Sequence, residues 1–152
     1  MANTYSQLYT QLVFAVKERA PLIPKERREE LHKYVSGIIA NKDCKLIAIN
    51  SMPDHIHIFL SVHPKISISD LVRDIKSNST AFIKNKGWSL NFAWQEGFGA
   101  FSYSKSQRDD VIRYIQNQEK HHAKKTFREE YIDFLKAFNI EYDERYIFDE
   151  SK

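Results

Sequence analysis

The chain has 152 residues, enough for one domain with a sizeable core, and its 42% hydrophobic and 28% charged content is that of an ordinary folded protein. A net charge of +3 permits contact with nucleic acid without demanding it, and the single cysteine, Cys44, excludes an intramolecular disulfide and a four-cysteine zinc site. No apolar run approaches the roughly 20 residues of a membrane span, and the first residues do not resemble a signal peptide, so a cytoplasmic protein with no membrane partner is expected.

The four Gly and four Pro are scattered, and no repeat, linker or low-complexity stretch interrupts the chain, so residues 1–152 are expected to form a single domain. Residues 5–16 have the period of a strand: Leu8, Thr10, Leu12, Phe14 and Val16 on one side, Gln7, Tyr9 and Gln11 on the other. After Pro21, the stretch P-K-E-R-R-E-E-L-H-K-Y-V-S-G-I-I-A-N-K from Pro24 predicts a helix with an apolar stripe of Leu31, Tyr34, Val35, Ile38 and Ile39. Then C-K-L-I-A-I-N-S and D-H-I-H-I-F-L-S-V-H read as two antiparallel strands joined around M-P-D.

Ser67-Ile68-Ser69-Asp70 opens a second helix that runs to about residue 84. Residues 87–104 are aromatic-rich strand segments broken at Gly97 and Gly99, with Phe92, Trp94, Phe98 and Phe101 suited to packing or to base stacking. A third helix is predicted from about residue 106 to about residue 122, then a fourth over T-F-R-E-E-Y-I-D-F-L-K-A-F and an acidic tail, E-Y-D-E-R-Y-I-F-D-E. The order β-α-β-β-α-β followed by more helix is the ferredoxin-like arrangement, an α+β fold with an antiparallel sheet and helices packed on one face. Such a fold hosts many functions and proves none of them.

The stretch H-I-H is the first chemical signal. Ile56, Ile58, Leu60 and Val62 share the face that suits the core, while His55, His57, Phe59, Ser61 and His63 share the other. Two imidazoles at i and i+2 point the same way, as a shared metal ion requires, although surface pairs of this kind also arise without one. His63 lies too far along the strand to join His55. A further ligand is best supplied by R-Y-I-Q-N-Q-E-K-H-H in the third helix, where Tyr114 and Gln118 are four residues apart and stack on one helical face. Taken alone, Tyr114 suits a core or interface tyrosine and Gln118 a surface residue. His121 and His122, within K-H-H-A-K-K, read as a basic, phosphate-contacting end rather than as ligands.

Together, P-D-H-I-H-I-F and Y-I-Q-N-Q resemble the single-tyrosine HUH transposases of small bacterial insertion sequences, the IS200-like transposases, in which HUH denotes His, a hydrophobic residue, His. The likeness spans nearly the whole chain, including the opening strand, W-Q-E-G-F-G-A-F-S-Y-S, and the H-H that follows the tyrosine helix. It implies a ferredoxin-like (RRM-like) domain with a C-terminal Tyr-bearing helix. It also implies a homodimer that cleaves and rejoins single-stranded DNA at hairpin-bearing ends through a 5′-phosphotyrosine. Carried over by motif, Tyr114 matches the nucleophile, His55 and His57 the metal-binding pair, and Gln118 the third ligand of a divalent metal, Mg²⁺ or Mn²⁺. In the family the tyrosine helix can be donated to the partner subunit, which completes the site in trans. When bound to DNA the protein would be nucleoid-associated.

Candidate DNA contacts are Arg73, Lys76 and Lys84 on the second helix and Lys120, His121 and His122 after the tyrosine, although most such residues in proteins are simply solvated. Three alternatives stay open: a domesticated relative that processes repeat DNA, a non-catalytic single-stranded nucleic-acid-binding module, and a metal-dependent phosphohydrolase without a covalent step.

Overall fold

The computed structural model describes residues 3–148; the end of the acidic tail, residues 149–150, lies outside them. Four strands, β1 (Tyr9–Ala15), β2 (Lys45–Met52), β3 (His55–Ser61) and β4 (Gly99–Tyr103), form one antiparallel sheet in the order β2-β3-β1-β4. The two central strands are the ones whose sequences are rich in β-branched and aromatic residues on both faces, which a strand covered on both sides requires. The α+β ferredoxin-like topology is therefore present.

Helices α1 (Arg28–Asn41) and α2 (Ile68–Asn85) cover one face. Their stripes, Leu31, Val35, Ile38 and Ile39 on α1 and Leu71, Val72, Ile75 and Ile83 on α2, close a single cluster over Leu12, Phe14, Ile56, Ile58 and Leu60. Helix α2 starts where Ser67 Oγ accepts the amide of Asp70 at 3.0 Å, the N-cap that the Ser-x-x-Asp pattern promises.

The opposite face is covered as well. There lie α3 (Arg108–Gln116), α4 (Gln118–His122) and α5 (Phe127–Ala137). Val111 and Ile115 of α3 pack on Phe59, while Phe127, Tyr131 and Leu135 of α5 pack on Val13, Ala15 and Phe101. Helix α5 is opened by a reciprocal capping box between Thr126 and Glu129.

Three departures from the sequence reading have local causes. The single predicted third helix is broken at Asn117, whose φ of −99° and ψ of 24° separate α3 from α4, and Asn50 Nδ2 donates to the Ile115 carbonyl beside the break at 2.8 Å. The aromatic stretch yields one strand, β4, preceded by a short pairing with the end of β1. There Val16 bridges Trp94, and Gln95 closes both ends of the Ala15 peptide through its own backbone amide and its side-chain Oε1. Leu8, expected on the core face, is 45% exposed because it precedes the paired part of β1.

The hairpin between β2 and β3 turns over Pro53 and Asp54 alone. Both turn carbonyls are held, that of Pro53 by the amide of Ile23 at 2.9 Å and that of Asp54 by the amide of Val16 at 2.8 Å.

Candidate active site

Alternation along β3 sends His55 and His57 away from the aliphatic cluster, as read from the sequence, but not into solvent: they are 1% and 0% exposed. Their neighbours across the ladder on β1 are Ala15 and Val13, small enough to leave room for imidazole rings beneath α3–α5. Phe127 of α5 lies flat on the His55 ring at 3.9 Å between centroids.

Each histidine is oriented from behind. His55 Nδ1 lies 2.7 Å from Asp54 Oδ1, and a carboxylate only accepts, so Nδ1 carries the proton. His57 Nδ1 lies 2.8 Å from Gln11 Oε1, and Gln11 has its Nε2 committed to Tyr103 Oη at 3.0 Å, so Gln11 likewise accepts. In the neutral form of each ring the lone pair is then on Nε2, facing the space under the helices. Outer partners of this kind fix the tautomer of metal-binding histidines.

The helices bring four more groups to that space. Gln118 Oε1 lies 3.2 Å from His55 Nε2, and Glu130 Oε1, on α5, lies 3.2 Å from His57 Nε2. His122 Nε2 is 3.1 Å from Gln118 Oε1 and 3.0 Å from Glu130 Oε1. The other Glu130 oxygen accepts from Gln118 Nε2 at 3.1 Å and from the hydroxyl of Tyr114. Tyr114 itself stands edge-on to His57, 5.9 Å between rings, in the same chain. One ligand atom from each of His55, His57, His122 and Glu130 falls within a 4.8 Å group. Three imidazoles, a carboxylate and an amide oxygen are a donor set that fits a divalent cation.

Burial sets the charges. It pushes the Glu130 carboxyl up to about 7 against the pull of His55, and pushes His57 well below the ordinary histidine value. Burial together with His55 takes His122 down to about 4. Neutral imidazoles are the form that binds metals. Asp54 goes the other way: burial opposes its charge, but the hydrogen bond from His55 and the nearby imidazoles hold its carboxyl below the usual range.

Tyr114, His55, His57 and Gln118 thus meet. So do Lys120, His121 and His122, which line with Tyr114 and Glu130 a cavity of about 970 Å³, the His121 ring 4.5 Å from that of Tyr114. His122, read from the sequence as a phosphate-contacting residue, sits among the donors. Arg73, Lys76 and Lys84 are elsewhere, along a groove on the α2 side with Phe92, Trp94 and Phe98. Arg73 pairs with Asp70 and Asp74, and the Lys76 ammonium donates to the carbonyls of Gln95, Glu96 and Gly97 at 2.7–3.1 Å, so it fastens the segment before β4. Phe92, Trp94 and Phe101 are at most 7% exposed and pack internally.

Glu130 went unnoticed in the sequence. Its signal is a carboxylate three residues after Phe127 and four before Phe134, hence in the apolar stripe of α5.

Residues 4–118 match the family model described as "Transposase IS200 like". Among relatives, the ISDra2 transposase TnpA of Deinococcus radiodurans is 29% identical over 119 residues, covering 74% of this chain and 84% of that protein. The transposase for insertion sequence element IS200 of Salmonella typhimurium is 24% identical over 95 residues, 62% of each chain. A solved structure of a protein assigned as a transposase, from Deinococcus radiodurans, superposes with a TM-score of 0.59 at 26% identity, covering 78% of this chain and 95% of that one. A REP-associated tyrosine transposase bound to a REP hairpin has the same fold, with a TM-score of 0.59 at 15% identity over 80% of this chain and 73% of that one.

Proposed function

The chain belongs to the IS200-like transposase family, and from that premise we propose that it cleaves and rejoins single-stranded DNA at hairpin-bearing ends through a 5′-phosphotyrosine at Tyr114. The observation that supports this reading is the meeting of Tyr114 and Gln118, four residues apart, with the His55–His57 pair beside a cavity of about 970 Å³ that Tyr114, His122 and Glu130 line.

Tyr114 Oη attacks the scissile phosphorus in line. The Oη–P bond forms as the bond from phosphorus to the 3′ oxygen breaks; the phenolic proton is lost to solvent and the departing oxygen takes one up, leaving a free 3′-hydroxyl. Attack by another 3′-hydroxyl reverses the step and joins strands without ATP. His55, His57 and Gln118 would hold a divalent ion, Mg²⁺ or Mn²⁺, which when bound would supply positive charge against the phosphate oxygens. Asp54 and Gln11 keep both imidazoles in the tautomer that presents Nε2. Lys120 and His121, which line the cavity, bind the flanking phosphates.

The same proposal includes a homodimer, with residues 1–152 acting as one domain in the cytoplasm; no helix among the described residues is long and apolar enough to cross a membrane. Incubation with single-stranded hairpin DNA and Mn²⁺ or Mg²⁺ should give an adduct that survives SDS. An adduct persisting in Tyr114→Phe overturns the nucleophile. Mixing Tyr114→Phe with His55→Ala chains restores the adduct if tyrosine helices are exchanged between subunits, and does not if each chain uses its own.

A further inference from the structure

His122 and Glu130 lie beyond residues 4–118, the segment that matches the family model, yet they stand among the donors. With the three imidazoles in the neutral form that binds metals, hydrogen bonding alone does not account for them. His55 and His57 have their Nδ1 protons committed to Asp54 and Gln11, so each offers a lone pair at Nε2. Those lone pairs face Glu130 Oε1, itself an acceptor, at 3.6 and 3.2 Å. Gln118 has its Nε2 on Glu130 Oε2, so its Oε1, 3.2 Å from His55 Nε2, is a further acceptor. His122 Nε2 brings at most one proton to Gln118 Oε1 or Glu130 Oε1. A proton on Glu130 Oε1 would serve one nitrogen and leave the others opposed. Acceptors pressed together in a buried space are costly unless positive charge lies between them.

The spacing suits that charge. Ligand atoms bonded at about 2.0–2.2 Å to one ion stand about 3 to 3.4 Å from one another. The contacts of Glu130 Oε1 with His55, His57 and His122 run from 3.0 to 3.6 Å.

We propose that Glu130 of α5 is a ligand of the divalent ion, joined by His122 of α4, and that its second oxygen ties the ion's site to the Tyr114 hydroxyl. This rests on the proposed metal-dependent reading of His55, His57 and Gln118, which it extends. The C-terminal helix is thus part of the metal centre and not only its cover. A set of imidazoles with one carboxylate selects Mn²⁺ over Mg²⁺, which prefers oxygen and keeps its waters.

The test uses the full chain stripped with EDTA and titrated with Mn²⁺ alone, with bound ion followed by loss of the free Mn²⁺ electron paramagnetic resonance signal. Thermal unfolding is recorded with and without Mn²⁺. Glu130→Gln, nearly isosteric, is expected to weaken Mn²⁺ binding by at least about 10-fold and to shrink the Mn²⁺-induced rise in Tm without lowering Tm in EDTA. Glu130→Asp, which withdraws the carboxylate by one methylene, is expected to weaken binding too. Wild-type affinity in both variants, with binding lost in His55→Ala, overturns the Glu130 assignment and leaves the histidine pair standing. A wild type that takes up no Mn²⁺ overturns both readings.

Discussion

Along β3, Ile56, Ile58 and Leu60 face α1 and α2, while His55, His57 and Phe59 face α3–α5, and all six are at most 1% exposed. Equal burial here serves different ends. On the first face hydrocarbon leaves water at a gain of about 25 cal/mol per Å². On the second, smaller apolar clusters around Phe59 and Phe101 flank the histidines, where imidazole, amide and carboxylate exchange water for one another at little net gain. The first face carries the larger apolar core, and the second combines smaller apolar clusters with an enclosed place at which polar groups converge.

The largest effect that would separate the faces is on chemistry. Tyr114→Phe should abolish the SDS-resistant DNA adduct while lowering stability by no more than about 1 kcal/mol, the worth of one hydrogen bond; urea unfolding showing a core-sized loss would break the distinction. On the other face, Ile58→Ala should cost about 2–5 kcal/mol in the same urea assay and leave adduct formation by the folded protein unchanged. Between the two stands Gln11→Leu, which removes the acceptor that fixes the His57 tautomer. It should slow adduct formation about 10- to 100-fold and raise the Mn²⁺ concentration needed for half-maximal rate, with little change in Tm.

The smallest effect tests whether the aliphatic side is free of titration. His32 on α1, bonded to Ser51 at 2.8 Å, is brought down to about 4 by burial and then by Arg28, against the opposing pull of Glu29. Its unfolded value is higher, about 6.5. The unfolded chain therefore takes up a proton that the folded one refuses, and the stability tied to neutral His32 is whole above pH 6.5 and lost as pH falls toward 4. His32→Gln should flatten that part of the pH–stability curve in urea titrations; an unchanged slope would show that the proton is taken up elsewhere.

Alternation along β1 and β3 was enough to tell which side of the sheet each residue joins, because a strand's period is fixed by its backbone. It could not tell that the histidine side would be roofed over, since the roof comes from residues up to 73 positions away, as in the contact of His57 with Glu130. The tyrosine helix was legible as a helix but not in its break, for Asn117 carries no proline or glycine signal and the nearby tether comes from Asn50 on β2. Glu130 was hidden by Glu129 beside it, which serves the capping box, so that two adjacent carboxylates looked like one polar helix start. Lys76 reads in the sequence as a candidate DNA contact, because the three backbone carbonyls that take its ammonium leave no mark there.

The turn at Pro53 and Asp54 limits where the chain can be altered. Tight hairpin tips at a protein surface are where extra residues, tags and circular breaks are ordinarily absorbed without harm. Here the tip is spoken for on every side: its two carbonyls are stitched to Ile23 and Val16, and its one carboxylate steers the imidazole of the very next residue. A residue inserted between Asp54 and His55 would part the carboxylate from the ring nitrogen it holds. Anyone building a fusion or sensor from this protein should leave that short loop untouched.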